Sequence, residues 1–290
     1  MSRRRGRLLV GAALMLTLGG CTLLSFVYGR LDSIATAYAD SWFDLERDQS
    51  KRFKHRARER LAINRREELP QYAAFLDGAA RLVEGRPSAA ELDALIERGR
   101  ELFELGLRRS LPLMTETLAE LAPRQVEYFT RELDERNAEY RDEELDVDPE
   151  ERQEQRREEL QHEVERWTGR LVASQRAILD RLVAQVPDGA RAWYEHRLAR
   201  QRGLLELLRA RASAAEHARY IERWWLGDRH LEPDHAAQLA RNRQSTVSTL
   251  AELIATLTPK QRARVAARLR AIGSELEELH AAGREAAGGG

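Results

Sequence analysis

Thr249-Leu250-Ala251-Glu252-Leu253-Ile254-Ala255-Thr256-Leu257-Thr258-Pro259-Lys260-Gln261 reads as the end of one helix, a tight corner and the start of the next. Thr258 is an N-cap residue, Pro259 suits the first helical position, and Gln261 stands where a capping box places its return acceptor. The leucine before the cap can pack under the turn, and the glutamine can bond back to the cap backbone. A second copy is Leu121-Ala122-Pro123-Arg124-Gln125, where alanine replaces the capping threonine. Leu171-Val172-Ala173-Ser174-Gln175 and Leu45-Glu46-Arg47-Asp48-Gln49 are weaker echoes. Four Leu-x-x-x-Gln corners predict a chain of helices joined by sharp turns: an all-α, multi-helical bundle of about ten helices in two related halves.

Helical spacing extends outward from these corners. Val27, Leu31, Ile34, Tyr38 and Trp42 form one stripe; Leu92, Leu95, Ile96, Gly99 and Phe103 form another. Leu107, Leu111, Met114, Leu118 and Leu121 follow, with Pro112 expected to mark a break or kink. Val265, Leu269, Ile272, Leu276 and Leu279 alternate four and three, as in a helix packed along a neighbour. No segment sustains the period-two alternation of a strand. The halves align by hand: Ser88-Ala89-Ala90-Glu91 recurs as Ser213-Ala214-Ala215-Glu216, and Leu118-Ala119-Glu120-Leu121 as Leu250-Ala251-Glu252-Leu253. Matched order with slowly growing offsets fits duplication followed by loop insertion. The expected organisation is a leader over 1–20, a first helical repeat over 21–145, an acidic connector over 146–167, a second repeat over 168–284 and a disordered tail over 285–290.

Ala, Leu, Glu and Arg dominate, the composition of long helices. Lys plus Arg and Asp plus Glu each number 48; without residues 1–20 the balance is 44 against 48. That near-neutrality gives no reason to expect nucleic acid as a partner. Charge is unevenly placed. Residues 127–167 hold 17 acidic and 7 basic side chains, and residues 168–290 hold 20 basic and 14 acidic. The acidic stretch reads as a solvated connector projecting from the body, able to attract the basic C-terminal part.

The N-terminus supplies an address. Ser2-Arg3-Arg4-Arg5-Gly6-Arg7 is a basic region, and Leu8 to Leu18 is an apolar run too short for a comfortable membrane span. Leu18-Gly19-Gly20-Cys21 resembles the bacterial lipobox, and Cys21 is the chain's one cysteine. The resemblance implies lipid on Cys21 and attachment to a membrane. Thr22, in place of the aspartate that tends to retain lipoproteins at the inner membrane, favours the periplasmic side of the outer membrane. No Gly- or Ser-rich tether follows, so the body is expected close to the bilayer.

Chemistry is harder to find. Two of the seven histidines stand in Glu-x-x-His, Glu159 with His162 and Glu277 with His280, the spacing of di-iron bundles. Their flanks are charged, and chance accounts for such pairs in a Glu-rich helical chain. No phosphate-binding glycine loop, nucleophile elbow or Cys/His pair is present. No metal, cofactor or catalytic residue is therefore expected, and the chain is read as not an enzyme. The five tryptophans read as helix-packing residues, with one of Trp224 and Trp225 partly exposed.

Leu257 to Gln261 and Leu121 to Gln125 are similar to the Leu-Thr-x-x-Gln signature of Spy/CpxP-type periplasmic chaperones and stress regulators, which are small, all-helical and soluble. More of the chain, residues 21–200, resembles an uncharacterised family of Gram-negative lipoproteins classified as a domain of unknown function. The matching features are Cys21, Tyr28-Gly29-Arg30-Leu31-Asp32, Phe43-Asp44-Leu45 with Gln49, Arg65-Arg66-Glu67-Glu68-Leu69-Pro70-Gln71-Tyr72, the 121–125 corner, and Trp167-Thr168-Gly169-Arg170-Leu171 with Gln175. The first resemblance implies unfolded clients or envelope proteins as partners. The second implies a helical lipoprotein and carries no catalytic residues.

Overall fold

In the computed structural model the described residues are 22–225 and 233–288, the side chains of 22–24, 225, 233–235 and 285–288 excepted. The elements are α1 (Thr22–Tyr28), α2 (Leu31–Phe43), α3 (Arg47–Ile63), a π-turn (Asn64–Glu68), α4 (Leu69–Glu84), α5 (Ala89–Ala119) and α6 (Pro123–Tyr140). A second π-turn (Arg141–Leu145) leads to α7 (Pro149–Thr168), α8 (Ala173–Gln185), α9 (Ala190–Arg209), α10 (Ala214–Trp225), α11 (Pro233–Thr256) and α12 (Pro259–Gly288). No strand occurs among the described residues. Cys21 and the leader over 1–20 lie outside them, as do residues 226–232 and the last two glycines.

The core is distributed along the molecule and draws on both expected halves. Leu111 and Leu118 of α5 pack with Val126, Phe129 and Leu133 of α6, and with Leu208 and Ile221 of α9 and α10. Val83 and Leu92 meet Val247, Ile254 and Leu257 near the end of α11. Tyr28, Leu69 and Leu279 join α1, α4 and α12. The stripe on α12 lies along α4, its most extensive helix neighbour. There the backbones come close: a Cβ on Gly273 would stand 3.5 Å from the Ala73 carbonyl oxygen. Segments 21–145 and 168–284 thus share their cores.

Several expectations need correction. Helix α5 runs unbroken through Pro112, which faces solvent, so the carbonyl its missing N–H would have served can turn to water. On the same helix Leu102, not Phe103, is buried; Phe103 is 65 % exposed, and Gly99 makes room for the Phe75 ring. The acidic connector does not project. Leu160 and Val164 of α7 pack against Leu171, Ile178, Leu179 and Leu253. Arg152 pairs with Asp188 and Arg157 with Asp180, opposite to the regional charges, while Arg176 with Glu165 follows them. Local geometry, not net charge, chooses partners a few ångströms apart. At the C-terminus, α12 continues to Gly288, beyond the expected boundary at 285.

Candidate functional site

Each corner is built as its sequence dictates, and tertiary packing then joins them in twos. The N-cap N–H groups of Glu46, Ala122, Val172 and Thr258 donate to Oε1 of Gln49, Gln125, Gln175 and Gln261, at 2.9–3.1 Å. Gln49 Nε2 donates to Gln125 Oε1 at 3.1 Å, and Gln125 Nε2 donates in return to Gln49 Oε1 at 2.8 Å. Gln175 and Gln261 exchange the same pair at 3.0 and 3.1 Å. The second amide hydrogen of each reaches a carbonyl just before the partner corner. Gln49 bonds Glu120 and Gln125 bonds Asp44; Gln175 bonds Thr256 and Gln261 bonds Arg170. Each primary amide so fills its two donor and two acceptor sites inside the protein, as a buried amide requires.

The leucines support these pairs from below. Leu45, Leu171 and Leu257 are buried, while Leu121 is half-buried. Pro123 and Pro259 occupy first helical positions. Gly169, at φ 79°, ends α7 in a conformation closed to most side chains and turns the chain into the third corner. Only Thr258 adds a side-chain cap, accepting from the Gln261 N–H at 3.2 Å. At Ala122 the corresponding N–H of Gln125 falls back on the Ala122 carbonyl at 2.9 Å. Thr258→Ala is therefore expected to lower stability by about 0.5–2 kcal/mol, and Ala122→Thr to raise it, as read from urea midpoints.

A second polar centre was not singled out from the residues alone. The π-turn after α3 brings Glu68 inward until it is 1 % exposed. Its carboxylate accepts from Arg60 Nη2 at 2.8 Å, Asn64 Nδ2 at 2.7 Å, Tyr72 Oη at 3.1 Å and Arg109 Nη1 at 3.1 Å. Tyr28 Oη donates to Asn64 Oδ1 at 2.7 Å and extends the network to α1. Burial pushes the Glu68 carboxyl up, but the hydrogen bonds of Arg60, Asn64 and Arg109 outweigh it and hold it at about 2. Burial, with the neighbouring Glu68 charge, pushes Tyr72 up to about 12. The one sequence signal was the Arg65–Tyr72 stretch, quoted above for its resemblance. A π-turn shifts helical phase, so periodicity could not place Glu68 inside.

Beside the second corner lies a groove of about 450 Å³ between α6 and the end of α9, floored by Leu121, Pro123, Val126 and Leu208 and edged by Arg131, Arg209 and Arg211 together with Glu127. An adjoining hollow of about 330 Å³ shares Leu121, Leu208 and Arg211 and reaches His217. The His217 ring is 1 % exposed. Its Nδ1 lies 3.0 Å from the Ser213 carbonyl, so Nδ1 carries the proton, and the buried Nε2 acceptor has no partner among the described residues. Burial pushes its pKa down and keeps the ring neutral at pH 7. Arg211 is the C′ residue of a Schellman motif: its N–H bonds the Leu208 carbonyl and the Ala212 N–H bonds that of Leu207. Its φ of 52° is the left-handed conformation that glycine adopts freely and a β-carbon resists.

The remaining candidates do not converge. His162 is exposed, and His280 Nδ1 bonds the Arg65 carbonyl at 3.0 Å. Among the described residues no group of three or more His, Cys, Asp or Glu side chains is placed to hold a metal ion. Trp193 is 46 % exposed and packs on Tyr140, with ring centroids 4.8 Å apart; Trp224 is half-buried. No described helix is long and apolar enough to cross a membrane.

These elements define an all-helical module whose corners are tied in pairs by side-chain amides, with an apolar groove edged by three arginines and one glutamate at one of them. The chain belongs to a family of unknown function, DUF6279, whose model matches residues 41–221. That span contains the first three corners, Glu68 and the groove, and stops before the fourth corner. No curated protein and no solved structure matches the chain.

Proposed function

We propose that this protein is a non-catalytic helical binding module, held by lipid on Cys21 at the periplasmic side of the outer membrane. Its groove at the second corner takes polypeptide segments in which an apolar side chain adjoins a carboxylate. Arg211 carries the reading: a cation held in a backbone conformation unfavourable to it, at the mouth of an apolar groove. Leu121, Val126 and Leu208 suit the apolar side chain, and Arg209 and Arg211 the carboxylate. Unfolded clients, as in a Spy/CpxP-like chaperone, and exposed tails of envelope proteins both present such segments.

Arg211→Gly separates the two consequences. It relieves the left-handed strain and is expected to raise stability by about 1 kcal/mol. It also removes the groove cation and is expected to weaken binding of an unfolded acidic client about fivefold. A stabilised variant with undiminished client binding overturns the groove reading. The address is tested separately: labelled palmitate should enter the wild type and not Cys21→Ser.

A further inference from the structure

The apolar stripe of α1 and α2 is only partly used by the core. Phe26 is 55 % exposed, and Ile34 and Tyr38 are each 44 % exposed. They share a face with Arg30, Ser33, Ala37 and Ser41, all exposed. Arg30 is the one charge among them, its guanidinium 4.1 Å from the Phe26 ring centroid. Asp40 stands at the edge, where its carboxylate accepts the Leu45 N–H. One third of this chain's residues are charged, and most other outward helix faces are laced with ion pairs. A stripe roughly 20 Å long with a single cation is therefore anomalous.

Two observations say what covers it. The first is position. The apolar run Leu8–Leu18 and Cys21 lie immediately before α1, which begins at Thr22. Phe26 follows Cys21 by only five residues in the chain. The second is charge. Helix α3 packs alongside α2 and carries seven Lys and Arg against two Asp and Glu; its outward Lys51, Arg52 and Arg58 are ion-paired to Asp48, Glu120 and Asp32. Aromatic and aliphatic side chains flanked by cations are the face of a helix lying in a bilayer interface, rings among the acyl ends of the headgroups and cations on phosphate. We infer that the outer face of α1–α2 docks on the anionic surface of the membrane that holds the N-terminus. It fixes the body against the bilayer, where the anchor alone would leave it free to turn. Tethering so close keeps even a weak contact engaged. The inference rests on the membrane address proposed above.

The test uses the full chain reconstituted into phosphatidylethanolamine–phosphatidylglycerol vesicles, with an environment-sensitive fluorescent amino acid at Ala37 or, as control, at exposed Glu101 of α5. Position 37 should be quenched by aqueous iodide about threefold less than position 101. The difference should vanish in Phe26→Ser/Ile34→Ser/Tyr38→Ser, whose changes fall on exposed positions and leave the helical circular dichroism intact. Equal quenching at both positions in vesicle-bound wild type overturns the inference. Mass spectrometry of Cys21 in the same samples judges the anchor. Shielding at position 37 with an unmodified Cys21 would sink the lipid reading and keep the docking face. An acylated Cys21 with position 37 open to iodide would do the reverse, and failure of both refutes both.

Discussion

Gln175→Leu is expected to destabilise the protein by about 3–4 kcal/mol, the cost of leaving several buried hydrogen-bonding groups unmet. Leucine is close to glutamine in volume, so the effect isolates polarity. The substitution orphans the Val172 N–H and the Thr256 carbonyl and takes one bond from each end of the Gln261 amide. Gln261→Leu should cost a similar amount. The double variant should cost less than the sum by about 1–2 kcal/mol, because the second change removes groups the first left unpaired. Urea midpoints for the four proteins measure this cycle. We propose that the paired corner glutamines are structural ties and not contact sites for a ligand. A Gln175→Leu protein with wild-type midpoint and abolished client binding would refute that.

Glu68→Ala should cost about 3–5 kcal/mol, since the largely buried Arg60 would lose its counter-ion and Arg109 would keep only Glu67. Acid provides the independent check. The folded-state pKa is about 2, below the ordinary 4.5, so the folded protein binds a proton on Glu68 more weakly than the unfolded chain. The stabilisation is fully present above pH 4.5 and is lost as pH falls from there towards 2. Over that window the wild type should lose about 3 kcal/mol through this group, at 1.36 kcal/mol per unit. Glu68→Gln has no such proton, so its stability should vary less across the same range. Equal acid slopes in the two proteins would show that the Arg60–Glu68–Arg109 network does not hold the carboxylate as its geometry indicates.

The sequence by itself determined what is local. Helical periodicity set an all-α chain, and the leucine-to-glutamine spacing set four corners. Each of these needs residues only three or four positions apart, within reach of one turn of helix. Tertiary structure decided everything that joins distant segments. A corner glutamine satisfies its own cap with one lone pair; its remaining three bonding sites stay open until another corner abuts it. Gln49 finds Gln125 across 76 residues and Gln175 finds Gln261 across 86, which no local pattern specifies. The same holds for burial. The stripes on α2 and α5 were apolar by spacing, yet Ile34, Tyr38 and Phe103 remain exposed, because a helix covers only the face its neighbours reach. Glu68 moved inward through a change of helical phase. Arg211 became distinctive only through a backbone angle, and His217 only through the wall of a groove, two properties that a residue acquires from the packed chain around it.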